Sequence, residues 1–225
     1  LAAAVEEARL LCLNSITWNY GTQLPIEDVV DLAHEHDCMV LVDAVQSFGQ
    51  KPVDVEEWGA EFVVGAGHKW LLGPWGAGML YIDGDVAEGL RPAQVGYRSV
   101  EAPGDPEPTL GPGATRFEVG TTSPAPYVGL EKAIETIESV GFETIQDRIE
   151  HLTDRLKQGL GDRLLSPEGY ESGLVTFEAE DPEATVERLA EQDIYVRTLP
   201  YPEAVRASVH VFNTAADVDA LLEAL

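Results

Sequence analysis

The apolar positions of this chain recur in two periods, and the alternation between those periods outlines a fold. The opening stretch "LAAAVEEARLLCLN" reads as the tail of a helix entering a short buried strand at 10–13. In "LPIEDVVDLAHEHD" the residues Ile26, Val29, Val30 and Ala33 follow the i, i+3, i+4, i+7 stripe of an amphipathic helix, and Pro25 suits its first turn. "MVLVD", 39–43, is apolar on both faces, as a parallel strand covered by helices should be. Two more strands are expected at 61–67, "EFVVGAG", and at 76–82, "GAGMLYI". Strand, helix, strand, loop, strand is the signature of an α/β sheet.

The texture changes over 91–115, where five prolines (Pro92, Pro103, Pro106, Pro108 and Pro112) break any period. A long irregular segment of this kind in a compact domain is usually functional or mobile. A helical pattern returns at about 125–160 through "VGLEKAIETIESVG" and "FETIQDRIEHLTDRLKQGL". The remainder alternates: strand "GLVTFEAE", helix "DPEATVERLAEQD", strands "IYVRTLP" and "AVRASVHVFN", helix "TAADVDALLEAL". That order predicts a small α+β domain beginning near 161, and the chain shows no internal repeat and no low-complexity tract.

With 225 residues, 44% of them apolar, the chain can bury a sizeable core. No apolar run reaches the ~18 residues of a membrane span, and no secretory leader is visible. The first residue is Leu1, so the chain reads as part of something longer. Charge changes the picture more: 40 acidic residues face 14 basic ones, a net of −26. Such a surface repels phosphates, which argues against nucleic acid and anionic membranes as partners. The acids are spread over loops and helix faces rather than gathered in a tail, which fits a solvated, halophilic-type surface. Cys12 and Cys38 both lie in core-like settings, as expected of buried thiols in a reducing cytoplasm. His34, His36, His151 and His210 show no metal-ligand spacing, and no metal is expected.

The candidate chemistry centres on "VVGAGHKWLLGPWG", 63–76, where a strand empties into glycines and then offers His68, Lys69 and Trp70. Asp43 closes an apolar strand, and ligands of open α/β sheets bind beyond the carboxyl ends of strands. Gln46 follows three residues later and Lys69 follows the next strand, so an acid, an amide and a lysine should share one sheet edge. Read singly, Asp43 caps a turn, Gln46 sits on the surface and Lys69 is a solvated loop charge. Read together, they meet the needs of pyridoxal phosphate: an amine to hold the cofactor as a Schiff base, a carboxylate at the pyridine nitrogen, and donors for the phenolic oxygen and phosphate.

The stretch "LVDAVQSFGQKPVDVEEWGAEFVVGAGHKWLLGPWGAGMLYI" resembles the core of the class V aminotransferase family, which includes cysteine desulfurases and isopenicillin N epimerase-like enzymes. The resemblance runs from "LNSITWNYGTQLPI" to "VRASVHVFNTAADVDALL". It implies a fold-type-I, three-layer α/β/α enzyme. Residues 1–124 would then be the C-terminal portion of the large cofactor-binding domain, 125–160 a connecting helical region, and 161–225 the small α+β domain. It implies Lys69 as the Schiff-base lysine, Asp43 at the pyridine nitrogen, Gln46 at the phenolic oxygen and His68 near the phosphate. Thr121, in "RFEVGT", would reach the phosphate of the neighbouring subunit of a homodimer, and Arg206 would clamp the substrate α-carboxylate, a role that suits a bidentate fork. Read without the resemblance, Arg206 is a surface arginine on an edge strand.

Four departures shape the functional expectation. The family's phosphate-binding turn and ring-stacking side chain would lie upstream of Leu1. The segment "RTLPYPEAVR" is short and carries no cysteine where desulfurases place a reactive one, and persulfide chemistry needs an accessible low-pKa thiolate. Trp18 stands where desulfurases commonly have asparagine, with Asn19 beside it, and Ala66 replaces a serine often found before the lysine. The expectation is therefore a pyridoxal-phosphate enzyme acting on an amino acid by transamination, racemisation or elimination. The alternatives are a cysteine desulfurase or selenocysteine lyase and, in another class, a non-catalytic fold relative or inactive fragment.

The charge balance generates a first prediction. Like-charge repulsion weakens the compact state when screening is long-ranged, and molar salt shortens the screening length from about 30 Å at 0.01 M to about 3 Å. The melting temperature should rise with KCl from dilute buffer to molar concentrations. A flat or falling curve would mean that the acids act as local caps and ion-pair partners.

Overall fold

The computed structural model describes residues 2–225. A short helix α1 (Ala2–Val5) precedes β1 (Leu10–Asn14), and α2 (Ile26–His34) carries the chain to β2 (Met39–Asp43). A single turn α3 (Val55–Trp58) leads into β3 (Phe62–Ala66), and β4 (Gly78–Ile82) is followed by α4 (Gly84–Gly89). The four strands form one sheet in the order β1-β2-β3-β4, the first three parallel and β4 antiparallel to β3. Parallel neighbours need a crossover, and α2 supplies the first one. Its apolar stripe, Ile26, Val30 and Ala33, packs with Val40, Val42 and Val63 of the sheet.

That packing covers one face. Side chains alternate along a strand, so Leu11 and Leu13 join the core beneath α2 while Leu10 and Cys12 point away and are exposed. The expectation of a buried strand at 10–13 and of a core-like Cys12 is therefore corrected. β1 is an edge strand and α2 covers only the other face. Cys38 is buried as expected.

The segment 91–115 is tied by internal bonds around buried Ser99, whose hydroxyl donates to Glu118 O (2.9 Å), and by Arg116 to α4. Arg116 lies in a short 3-10 turn (Gly113–Phe117) and is 5% exposed. Its guanidinium donates to the carbonyls of Gly111 (3.1 Å), Ala87 (2.9 Å) and Glu88 (3.0 Å), and to the Glu88 carboxylate. Those carbonyls include the C-terminal end of α4, which lacks intrahelical donors and accepts a cation well.

The helical region divides at Gly141 (φ +88°) into α5 (Pro124–Val140) and α6 (Phe142–Leu160). Next come β5 (Leu174–Phe177), α7 (Pro182–Ala190), β6 (Arg197–Pro200), β7 (Glu203–Ser208) and α8 (Ala215–Ala224). The second sheet has the order β5-β7-β6 and is antiparallel throughout. Leu152, Leu156 and Leu160 of α6 pack with Val175, Phe177, Val205, Leu189 and Val218 on one of its faces. The other face turns toward the first sheet. Ser172 donates to Gly21 O (2.7 Å), Gly173 N to Gln50 Oε1 (2.8 Å), and the Thr176 hydroxyl to Asn19 O.

Because Arg116 joins the end of this segment to α4 through four hydrogen bonds, Arg116→Ala should raise the rate of limited proteolysis within 91–115 severalfold. The pairing of the two sheets and the far-UV spectrum should stay unchanged. Unaltered cleavage there would show that the segment is held by its own contacts.

Candidate active site

The carboxyl ends of β2 and β3 open onto the space between the two sheets. Asp43 is the last residue of β2, paired in register with Val64, and its Oδ1 accepts from Val45 N (2.9 Å), which turns the chain off the sheet. Gln46 lies in that turn and is buried. β3 ends at Ala66, and Gly67 then runs so close to Leu130 that a Cβ would stand 2.9 Å from it. Lys69 follows two residues later.

From the second sheet, Arg197 of β6 and Arg206 of β7 are direct cross-strand partners. Both point into a cavity of about 540 Å3 that Trp18, Gln46, Lys69, Trp70, Leu72, Ser208, His210 and Phe212 help to line. A cavity of this size is typical for a small-molecule site. Like charges opposite each other on neighbouring strands are unfavourable in isolation, so the pair needs an anion to offset it.

The electrostatics follow from this crowding. Burial pulls the Lys69 amine below the ordinary lysine range; the Asp43 carboxylate opposes that shift, and Arg206 and Arg197 add to it. Arg206 is pushed down to about 10, first by burial and then by Arg197. Its Nη1 donates to Trp18 O, while its buried Nε has no partner. An unpartnered buried guanidinium nitrogen costs free energy, and a bound carboxylate would satisfy it.

The expected site residues are brought together unevenly. Gln46, Lys69 and Arg206 line the cavity, while Asp43 is exposed outside its lining and reaches the Lys69 amine through its charge. The His68 ring instead stacks on Trp75 (3.9 Å between centroids, 18°) and does not line the cavity. Thr121 is exposed and shares a short hydrogen bond with the Tyr97 hydroxyl, away from the cavity wall. Asn19 donates to Tyr201 O (3.1 Å) on the β6–β7 turn, so it anchors the second sheet rather than facing the cavity. Neither Cys12 nor Cys38 lines the cavity. Among the described residues, no three His, Cys, Asp or Glu side chains gather as a metal site, and no helix is long and apolar enough to cross a membrane. Sequence reasoning missed Arg197 and His210. The apolar–polar alternation of "YVRTLP" places Arg197 on a sheet face, but only the cross-strand register shows that it meets Arg206.

The pattern of the family described as Aminotransferase class-V matches residues 2–221. The chain belongs to this family. Among curated relatives, a probable cysteine desulfurase of Halalkalibacterium halodurans is 30% identical over 98% of the chain and 58% of its own length. A probable cysteine desulfurase of Streptomyces coelicolor is 33% identical over 98% of the chain and 57% of its own length. Among solved structures, the cystine C–S lyase C-DES in complex with its product cysteine persulfide superposes with a TM-score of 0.90 at 32% identity, covering 99% of this chain and 63% of that one. A lysine-to-alanine mutant of C-DES carries glycine covalently linked to its PLP cofactor. The chain thus spans somewhat under two thirds of the length of these class-V relatives. It shares the α/β architecture of the fold-type-I neighbours.

The charges around Lys69 yield a test that needs no ligand. The pH midpoint for acylation of the Lys69 amine, followed by mass spectrometry, should lie below that of an ordinary lysine. Arg197→Ala removes a cation and should move the midpoint up. Asp43→Asn removes the opposing anion and should move it down. Shifts of the reverse sign would mean that these charges do not face the amine.

Proposed function

We propose that the complete protein is a pyridoxal 5′-phosphate enzyme that cleaves the carbon–sulfur bond of cysteine or its disulfide. The observation that carries this reading is the convergence of Lys69, Gln46 and the Arg197–Arg206 pair on one cavity whose lining holds no thiol, with the Asp43 carboxylate near enough to act on the Lys69 amine. The relatives, named as desulfurases and a C–S lyase, favour sulfur chemistry over the transamination or racemisation expected from residues alone. The residues present fit the cofactor: an amine with a lowered pKa, a carboxylate beside it, a buried amide with donors to spare and an unpartnered guanidinium nitrogen.

When bound, the cofactor supplies an electron sink for negative charge at the substrate's α-carbon. Lys69 holds it and then, as a neutral amine, takes the proton from that carbon; the lowered pKa keeps more of the amine neutral near pH 7. Asp43 would hold a negative charge beside the ring nitrogen, and Gln46 would offer its amide N–H to the ring oxygen. Arg206 grips the substrate α-carboxylate through two parallel hydrogen bonds. Arg197, beside it, accommodates the second carboxylate of a disulfide amino acid. The sulfur leaves carrying the bonding electron pair and needs no protein thiol to receive it. Thr121, exposed beyond the cavity, would serve the phosphate at the neighbouring subunit's site in a homodimer.

A second reading is a desulfurase that passes sulfur to its own thiol, for which exposed Cys12 is the accessible candidate. The full-length protein loaded with cofactor should release sulfane sulfur or sulfide with pyruvate from cystine or cysteine. Lys69→Ala should lower the rate by about 10²–10⁴-fold, the usual share of a positioned acid–base group. Cys12→Ala should leave it unchanged; a collapse of that variant would favour the desulfurase reading. Amino transfer or racemisation without sulfur release would overturn both.

A further inference from the structure

We propose that Trp70 is a positioning residue that fixes which end of the Gln46 amide faces the ligand. The proposal rests on the reading of the cavity as a pyridoxal-phosphate site and deepens it. Trp70 follows Lys69 directly, is 6% exposed, and is packed among Ile16, Ile137, Ile145, Ile149 and Leu174. Its indole Nε1 donates to Gln46 Oε1 at 2.8 Å, a buried contact. A glutamine amide can present either its oxygen or its nitrogen, and the two are interchangeable in shape. An indole is a donor only. The oxygen is therefore committed to Trp70, and the NH2 is what the cavity receives. That polarity suits an anionic oxygen and is wrong for a protonated one.

Trp70 itself is held from the segment that follows β7. Its backbone carbonyl accepts from His210 Nε2 (3.0 Å), and His210 Nδ1 accepts from Val211 N (2.7 Å), which settles the tautomer as Nε2–H. Burial lowers the His210 pKa and keeps that neutral form. The His210 ring stacks between Trp70 (5.4 Å) and Phe212 (4.9 Å). Two glycines close the seat. A Cβ at Gly49 would stand 2.3 Å from the Trp70 backbone, and one at Gly173 would stand 2.7 Å from its ring. The Gln46 backbone is fixed as well, because the Gln50 side chain donates to the Gln46 backbone carbonyl and accepts from Gly173 N (2.8 Å). The backbones that carry amide and indole are thus both tied to the segments flanking the second sheet, and the Nε1–Oε1 hydrogen bond joins the two side chains.

The test is a pH titration of the visible absorbance of the cofactor-loaded, full-length protein. The Gln46 N–H favours the deprotonated ring oxygen, so its loss raises the pH midpoint. Trp70→Phe, which keeps the ring and loses the donor, should raise the midpoint by up to about one pH unit, the worth of one hydrogen bond. Gln46→Leu should raise it at least as far, and Trp70→Phe should add nothing in the Gln46→Leu background. If Trp70→Phe does not fold, the indole N–H resonances of the parent and Gln46→Leu proteins decide instead. One strongly exchange-protected indole N–H should lose its protection when Gln46 is replaced. A midpoint that moves in Gln46→Leu but not in folded Trp70→Phe, or an indole N–H indifferent to Gln46, would overturn the positioning role and leave the cofactor reading intact. A parent protein that gains no Lys69-dependent absorbance with pyridoxal phosphate would sink that reading itself.

Discussion

Three cations, Lys69, Arg197 and Arg206, share one cavity, and the rest of the molecule can be understood as what holds them there. Left to themselves they would separate, since the two arginine charges act against the Lys69 amine and Arg197 acts against Arg206, and burial weighs on Lys69 and Arg206 while Arg197 is exposed. They stay because they belong to two sheets that are sewn together elsewhere. Ser172 to Gly21, Gly173 to Gln50 and His210 to Trp70 are hydrogen bonds between buried groups, with no exposed side chain to screen. Breaking any of them would leave a buried polar group unpaired, which costs more than the bond itself contributes. The repulsion is thus stored against a rigid frame and is released only by an anionic ligand.

Lys69 and its neighbours illustrate how rigidity and chemistry are linked. A lysine amine acts as a base only when neutral, and burial among cations favours neutrality without needing a dedicated partner. Asp43 tempers the shift and keeps the site from expelling charge altogether. The same two arginines that lower the lysine pKa are the groups that a carboxylate would neutralise. Arrival of a carboxylate would therefore weaken the downward pressure on Lys69, which couples occupancy to basicity through space alone.

Much of this was legible in the sequence, for local reasons. The helix at Ile26–His34 and the strands ending at Asp43 and Ala66 follow from periodicity, and strand ends place Asp43 and Lys69 on one edge whatever the details of packing. The break at Gly141 was not legible, because the apolar pattern continues across it while the backbone does not. Cys12 misled because "LLCL" is apolar at every position; its exposure depends on which face of β1 α2 covers, which no local pattern encodes. Arg197 and His210 were hidden for a similar reason. Their partners, Arg206 and Trp70, are set by cross-strand register and by packing between sheets, and His210 lies 140 residues from Trp70. The polarity of the Gln46 amide is a further step removed, since it needs the hydrogen-bond partner as well as the position.

The cationic cavity sits in a chain whose formal charge is −26. An anionic ligand approaching from bulk solvent first meets a repulsive field and feels attraction only within a few ångströms of the arginines. Many enzymes steer oppositely charged ligands from a distance and lose association rate as ions are added. Here the long-range part of the field opposes capture, and mobile ions would erase it before they weaken the short-range grip of the half-buried Arg206. The mouth therefore acts as a barrier set by the medium, while the grip inside is set by the fold, so entry and retention of an anion are governed by different parts of the same protein.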